Sequence, residues 1–193
     1  MKIGLFGGTF NPAHNGHLEI ARKVLNEFGL SKIIFIPSGN PPHKNKKDIA
    51  DASHRLRMLE LALAAEKRFE ISDIEIKREG TSYTLDTIKE MQKIYGKDAD
   101  FYFIAGADMA LDLPNWRKPL EILKLARFVA VQRPKFSLKK LPFQYRKKII
   151  FAKGMSIDIS SSDIRKRVRE GKSIKNLVPP AVEQYIGKHA LFI

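Results

Sequence analysis

Two histidines three residues apart, His14 and His17, flank Asn15-Gly16 shortly after a double glycine, Gly7-Gly8. Residues three apart share a face of a helical turn, so both imidazoles can address one ligand. Histidine donates a hydrogen bond to a phosphate oxygen and can become cationic as negative charge grows there. Glycines let a ligand approach closely and expose N–H groups at a strand's end. Gly16 leaves space for a ligand against the backbone. A helix opening near Asn15 adds free amides and its positive dipole end. One histidine near a helix start is usually a cap or a surface group. A metal site would need a third ligand, and no His or Cys stands nearby to supply it, so no protein metal site is expected. The combination favours phosphate binding.

The segment Ser160-Ser161-Ser162-Asp163-Ile164-Arg165 follows the same logic. Ser162 or its neighbour can cap a helix whose free amides bind phosphate. Arg165, one turn in, can fork onto phosphate oxygens. Alone, the segment is equally well a plain Ser-capped helix with a basic face. Charge supports anionic partners more broadly: 35 Lys and Arg against 21 Asp and Glu give a formal +14. Lys44, Lys46 and Lys47 form one basic cluster. Lys135, Lys139, Lys140, Arg146, Lys147 and Lys148 fill a later loop, and Arg165, Lys166, Arg167 and Arg169 share a helix. Taken one at a time, each cluster reads as solvated surface.

These groups need a scaffold, and 193 residues with 44% apolar content suffice for one domain spanning 1–193 with a real core. The absence of cysteine excludes disulfides, thiolate nucleophiles and Cys-based zinc sites, and fits a reducing cytoplasm. The opening MKIGLF faintly resembles a signal peptide, but its apolar run stops at Gly7-Gly8 without a cleavage site. No apolar run approaches membrane-spanning length. Lys2–Phe6 and Lys32–Pro37 read as buried parallel strands. Between them Leu18, Ala21, Leu25 and Phe28 recur at helical spacing before Gly29, a natural C-cap.

A second helix starts near Ser53 with Leu56, Leu59 and Leu63 on one face, and Phe69–Ile76 is extended. A third helix follows Gly80-Thr81-Ser82 and turns Leu85, Ile88 and Met91 inward. Phe101–Ala105 and Phe128–Val131 are strands, Met155–Ile159 a weaker one. Helices are expected at Leu120–Leu125, Ser162–Glu170 and Pro180–Lys188. Alternating β and α elements predict a doubly wound, mostly parallel α/β sheet flanked by helices. In such sheets ligands bind beyond the carboxyl ends of the strands. Five segments that follow strands carry Gly, Ser, His, Lys or Arg: those after positions 6, 37, 105, 131 and 159. Their convergence on one edge is a stronger signal than any single motif.

With these residues assembled, the chain resembles the bacterial nicotinate-nucleotide adenylyltransferases of the HxGH nucleotidyltransferase superfamily over nearly its whole length. His14-Asn15-Gly16-His17 matches the superfamily signature, and Ile159 through Arg165 matches its second, ISSTxIR. Both also fit pantetheine-phosphate adenylyltransferases. More specific are the opening GGTF, Pro41-Pro42-His43-Lys44, Ser82-Tyr83-Thr84, Gly106-Ala107-Asp108, Leu113-Pro114-Asn115-Trp116 and Arg133-Pro134. Position 11 is Asn where the family more often has Asp, and position 162 is Ser where Thr is usual. Both preserve a small hydrogen-bonding side chain.

The resemblance implies a Rossmann-like sheet of nucleotidyltransferase type and adenylyl transfer from ATP to nicotinate mononucleotide, giving the dinucleotide and pyrophosphate without a covalent intermediate. It implies catalytic roles for His14, His17 and Arg165. Gly7, Gly8, Phe10, His14 and His17 would contact the ATP phosphates and adenosine. Gly106 and Asp108 would lie against the nucleotide, Asp108 at a ribose hydroxyl. Ser161, Ser162, Ile164 and Arg165 would line the adenine and phosphate side, Arg165 on the leaving pyrophosphate. Lys44 and Arg133 would serve as further phosphate ligands. Thr9 and Lys44 would face the mononucleotide, Trp116 would stack on its pyridine ring, and Thr84 with the amides around Tyr83 would receive its carboxylate. Mg2+ would be held mainly by the ATP phosphates, without a protein cage.

Nicotinamide mononucleotide and phosphopantetheine remain alternative acceptors. A nucleic-acid-binding domain is the rival of another class, but the basic residues sit in separate segments without an RNA-binding signature. A homo-oligomer stays compatible with the sequence. Without the resemblance, the lone Trp116 reads simply as core.

Overall fold

The computed structural model describes residues 1–39, 49–131, 141–152 and 159–193. Six parallel strands form one open sheet: β1 (Lys2–Gly8), β2 (Lys32–Pro37), β3 (Phe69–Ile71), β4 (Asp100–Gly106), β5 (Arg127–Val131) and β6 (Ile149–Ala152). Their spatial order is β3-β2-β1-β4-β5-β6. Growth of the sheet reverses between β1 and β4, which pair with Phe6 opposite Ile104. Connections on the two sides of this pair run over opposite faces, leaving a crevice at the strands' carboxyl ends.

Both faces of the sheet are covered, which explains its unbroken apolar strands. Alternate residues separate into two cores. Phe6, Ile33, Phe35 and Ile104 face α1 (Asn15–Glu27), α2 (Ala52–Leu63), α8 (Ser161–Arg169) and α9 (Pro180–Lys188). Ile3, Leu5, Ile34, Phe101 and Phe103 face α4 (Thr84–Tyr95), α5 (Ala107–Asp112) and α6 (Pro119–Leu125). Gly29 follows α1 at φ 59, the left-handed stop expected of it. Among the described residues, no helix is long and apolar enough to cross a membrane.

Several expected elements differ. The extended run ends at Ile71, and Ile74–Lys77 forms a short helix, α3, bearing an Asp73–Lys77 ion pair at 2.9 Å. β3 pairs with β2 alone, and β2 ends at Pro37, in register with position 73, so the alternation at Ile74 and Ile76 finds no ladder to join. The basic "loop" contains α7 (Phe143–Arg146) and the edge strand β6. In the expected strand Met155–Ile159, positions 155–158 lie outside the described residues, and Ile159 is not in a strand. α5 and a 3-10 turn, Leu113–Asn115, follow β4 where no helix was expected. The buried stripe of α2 is Arg55, Met58, Leu59, Ala62 and Leu63, turned away from Leu56.

A polar network locks α3 against α4. The Thr87 hydroxyl donates to Glu75 Oε1 at 2.6 Å and accepts from Arg78 at 3.1 Å, while Arg78 pairs with Glu90 at 2.5 Å. Burial pushes the Glu75 carboxyl above the ordinary carboxylate range, against the opposing pull of Thr87 and Arg78. The folded chain therefore holds this proton more tightly than the unfolded chain. That contribution is present at acid pH and is lost as pH rises from 4.5 through the folded value. Glu75→Gln retains an acceptor for Thr87 and removes the titration. Its melting temperature should gain on the unchanged chain as pH is raised, and parallel curves for the two would refute the burial effect. At the end of β2, a Cβ on Gly39 would stand 2.0 Å from the Glu75 carbonyl oxygen. Gly39→Ala should cost about 1–3 kcal/mol in denaturant unfolding because backbone must shift to admit it.

Candidate functional site

The crevice at the β1/β4 reversal is a cleft of about 230 Å³. Its floor is the ends of those strands, Gly7, Gly8, Ala105 and Gly106. The turn after β1 supplies Thr9, Phe10 and Asn11; α1 supplies His14, His17 and Ile20; α5 supplies Asp108 and Met109. Ser160, Ser161, Ser162 and Arg165 close the remaining side.

Local packing explains the β1–α1 turn. Phe10 has φ 48, a left-handed conformation uncommon for a bulky residue. This backbone delivers its ring into the core, where a Cβ on Gly8 would meet it at 3.0 Å. Gly8 thus leaves the Phe10 ring room that a Cβ would narrow. The Phe10 ring meets His17 edge-on at 4.9 Å, and His17 stacks on His14 at 3.6 Å with planes 25° apart. The His14 N–H donates to His17 Nδ1 at 3.2 Å. A lone pair must therefore occupy Nδ1, which places the proton of neutral His17 on Nε2 as a donor. His14 is 2% exposed, whereas His17 is half-buried.

One expectation changes here. The first-turn amides of α1 are not open as a set: Asn15 N–H bonds to Leu177 O at 2.9 Å, and His17 N–H to His14 O at 2.9 Å. Neither Asn15 nor Gly16 lines the cleft. Donors to an anion from this helix must come chiefly from the imidazoles.

The opposite wall is tied to the same turn. Ser160, rather than Ser162, caps α8, accepting from Asp163 N–H at 3.1 Å. The Ser161 hydroxyl donates to Pro12 O at 3.0 Å. Arg165 donates to Asn11 O at 2.9 Å and to the Ser162 hydroxyl at 3.5 Å. Ile164 is fully buried in the core beneath α8, so its side chain does not line the cleft as expected. The reason is helical spacing: Ser161 and Arg165, four apart, share the cleft face, and Ile164 points to the other.

Tyr83, Thr84 and Trp116 do not line the cleft, and Trp116 is linked to it through Phe103. That ring would stand 3.4 Å from a Cβ on Gly7, and it meets Trp116 edge-on at 6.1 Å. Trp116 is half-buried, its indole N–H bonded to Asp112 at 3.2 Å. Tyr83 precedes the first residue of α4 and provides no side-chain cap. Arg117 lies over the Tyr83 ring at 4.8 Å and pairs with Asp86 at 3.1 Å. Lys44 and Arg133 lie outside the described residues.

Sequence reading missed Asn11, Met109 and Ser160 on the cleft wall, and Arg55 behind it. Arg55 carried a signal: it stands at helical spacing with Leu59 and Leu63, in register with a core stripe. Among the described residues no cluster of three or more His, Cys, Asp or Glu could hold a metal.

Comparison with known proteins places this architecture. The cytidylyltransferase-like family model matches residues 5–167. A Thermoanaerobacter sp. (strain X514) protein named "Probable nicotinate-nucleotide adenylyltransferase" is 46% identical, covering 100% of this chain and 94% of its own. A Clostridium tetani protein of the same name is 44% identical over 99% and 98% of the two chains. In structure, the chain resembles Plasmodium falciparum nicotinic acid mononucleotide adenylyltransferase complexed with NaAD, with a TM-score of 0.83. The likeness covers 99% of this chain and 97% of that one at 22% identity, and so speaks to the fold.

Proposed function

This chain belongs to the cytidylyltransferase-like family, in its nicotinate-nucleotide adenylyltransferase branch, and on that premise we propose how its cleft joins ATP to nicotinate mononucleotide. A phosphate oxygen of the mononucleotide attacks the α-phosphorus of ATP. The bond from that phosphorus to the β-phosphate breaks, giving nicotinate adenine dinucleotide and pyrophosphate. The nucleophile is already ionised at neutral pH, so no general base and no covalent enzyme intermediate are needed. The tasks left to the protein are to align two anions and to neutralise charge on the departing pyrophosphate.

The observation that carries this reading is the stacked His14–His17 pair facing Arg165 across the sheet's switch point. His17 donates from Nε2 to a phosphate oxygen, and His14 backs it. Arg165, oriented by Asn11 and Ser162, adds positive charge toward the pyrophosphate. Gly7, Gly8, Phe10, Gly106, Ser161 and Ser162 shape the ATP side, and Asp108 addresses a ribose hydroxyl. Ile164 serves by anchoring α8. Thr9, Lys44 and Arg133 keep the ligand roles that the resemblance implies.

The acceptor's ring stacks on Trp116, and its carboxylate sits at the start of α4, near Tyr83 and Thr84. A helix start favours an anion over a neutral amide. Asp86 in the first turn would oppose this, and its pairing with Arg117 offsets that charge. Asp108, the one carboxylate on the cleft among the described residues, suits an Mg2+ carried in by the triphosphate, which would lower the charge on the phosphates. ATP as co-substrate is our reason for placing the reaction in the cytoplasm.

The purified chain, given ATP, Mg2+ and either nicotinate or nicotinamide mononucleotide, should form dinucleotide chiefly from the nicotinate compound. Equal use of both would discard the role of the α4 start, and no product from either would discard the acceptor. His17→Ala should lower kcat about 10²–10³-fold, as for loss of one preorganised donor. Its thermal melt should stay near that of the unchanged chain, and a melt that falls in step with activity would remove His17 from the chemistry.

A further inference from the structure

Arg55 has no role in that reading, yet it is 1% exposed and heads the largest fully buried side chains. From the first turn of α2 it reaches three backbone carbonyls on three segments. Nε donates to Ala50 O at 3.0 Å, one terminal nitrogen to Thr9 O at 2.9 Å, and the other to Gly39 O at 3.4 Å. Thr9 follows β1, Gly39 follows β2, and Ala50 precedes α2. Among the described residues it makes no salt bridge with a carboxylate; Asp51 favours its charge from longer range. A buried cation is costly unless its donors are satisfied. Here the acceptors are main-chain oxygens, so the satisfied cation ties the turn after β1 to both ends of the β2–α2 connection.

Ala50 is gripped through both of its flanking peptide groups. Its N–H donates to Asn11 Oδ1 at 3.0 Å, and the Asn11 carbonyl accepts from Arg165 at 2.9 Å. One series of hydrogen bonds therefore runs from Arg55 through Ala50 and Asn11 to Arg165. A second runs from Arg55 to Thr9, the residue before Phe10, whose ring abuts His17. The geometry points to Arg55 as a positioning residue for adenylyl transfer, holding the β1–α1 turn so that the histidine pair and Arg165 address the same phosphates. This rests on reading the cleft as the ATP site. The planar fork of a guanidinium spans carbonyls that diverge, whereas a lysine ammonium gathers its donors at one point.

The test compares Arg55→Lys, which keeps the charge, with Leu59→Ala, which opens the core on the same helix and removes none of the hydrogen bonds to the turn. Each is followed by thermal melt and by kcat and KM for both substrates. Arg55→Lys should lower kcat about 10²-fold, the loss typical of a small misplacement of reacting groups, and weaken ATP binding by a smaller factor. Leu59→Ala, at an equal or larger loss of melting temperature, should keep kcat near that of the unchanged chain. An Arg55→Lys protein that is folded and fully active, or equal kcat losses in the two variants, would overturn the proposal. Asn11→Ala gives an arm that stands even if Arg55→Lys fails to fold. It should lower kcat while the chain stays folded, and full activity in it would break the series. If the unchanged chain forms no dinucleotide, the functional reading fails instead. Arg55 is then judged by titration with a non-hydrolysable ATP analogue, where undiminished affinity in Arg55→Lys overturns its role.

Discussion

The turn between β1 and α1 depends on one close approach: a side chain at position 8 would crowd the Phe10 ring to 3.0 Å. With Gly8 in place, the Phe10 ring packs beneath the strand end and against His17. His17 is thereby held between an aromatic edge and the face of His14. Two flexible side chains become a fixed pair at the mouth of the cleft. The entropy of ordering them is lost on folding, before any ligand arrives, which is the physical content of a preorganised site.

That pair needs a partner wall at a defined distance, and the wall comes from 150 residues further along the chain. α8 is bound to the turn through main-chain oxygens, Ser161 to Pro12 and Arg165 to Asn11. These contacts are to main-chain oxygens, so the one from Arg165 does not itself select the side chain at position 11. The Asn at position 11 fits this view, since what its side chain supplies is an acceptor for Ala50 N–H, which a carboxylate also supplies. Among the described residues, the cleft sets two imidazoles and one guanidinium against one carboxylate, Asp108. That imbalance suits chemistry between phosphates, in which the protein's work is electrostatic alignment.

Parts of the fold were legible because local pattern and tertiary environment agree. The bounds of β2 and α9, the stop at Gly29 and the inward face of α4 follow from apolar periodicity and terminal residues. Elements were missed where the environment outweighs pattern. β6 is a four-residue edge strand inside a basic stretch, held by pairing with β5. The Ile74–Ile76 alternation suits a strand, but β2 ends at Pro37, in register with position 73, and leaves it no partner. α5 is short and its start is a glycine, with no side-chain cap to announce it.

The sequence by itself determined the kind of site: residue types and spacings at strand ends carry the histidine pair, the serine-rich helix start and the excess of cationic side chains. Only the tertiary structure decided which atoms remain available there. Asn15 and His17 amides are consumed by Leu177 and His14, Ile164 is turned into the core, and Arg55 is drawn under the loops. Such assignments depend on which distant carbonyl or ring comes within about 3–4 Å, and hydrogen bonding and packing decay over that range. Local spacing in one dimension carries no record of them.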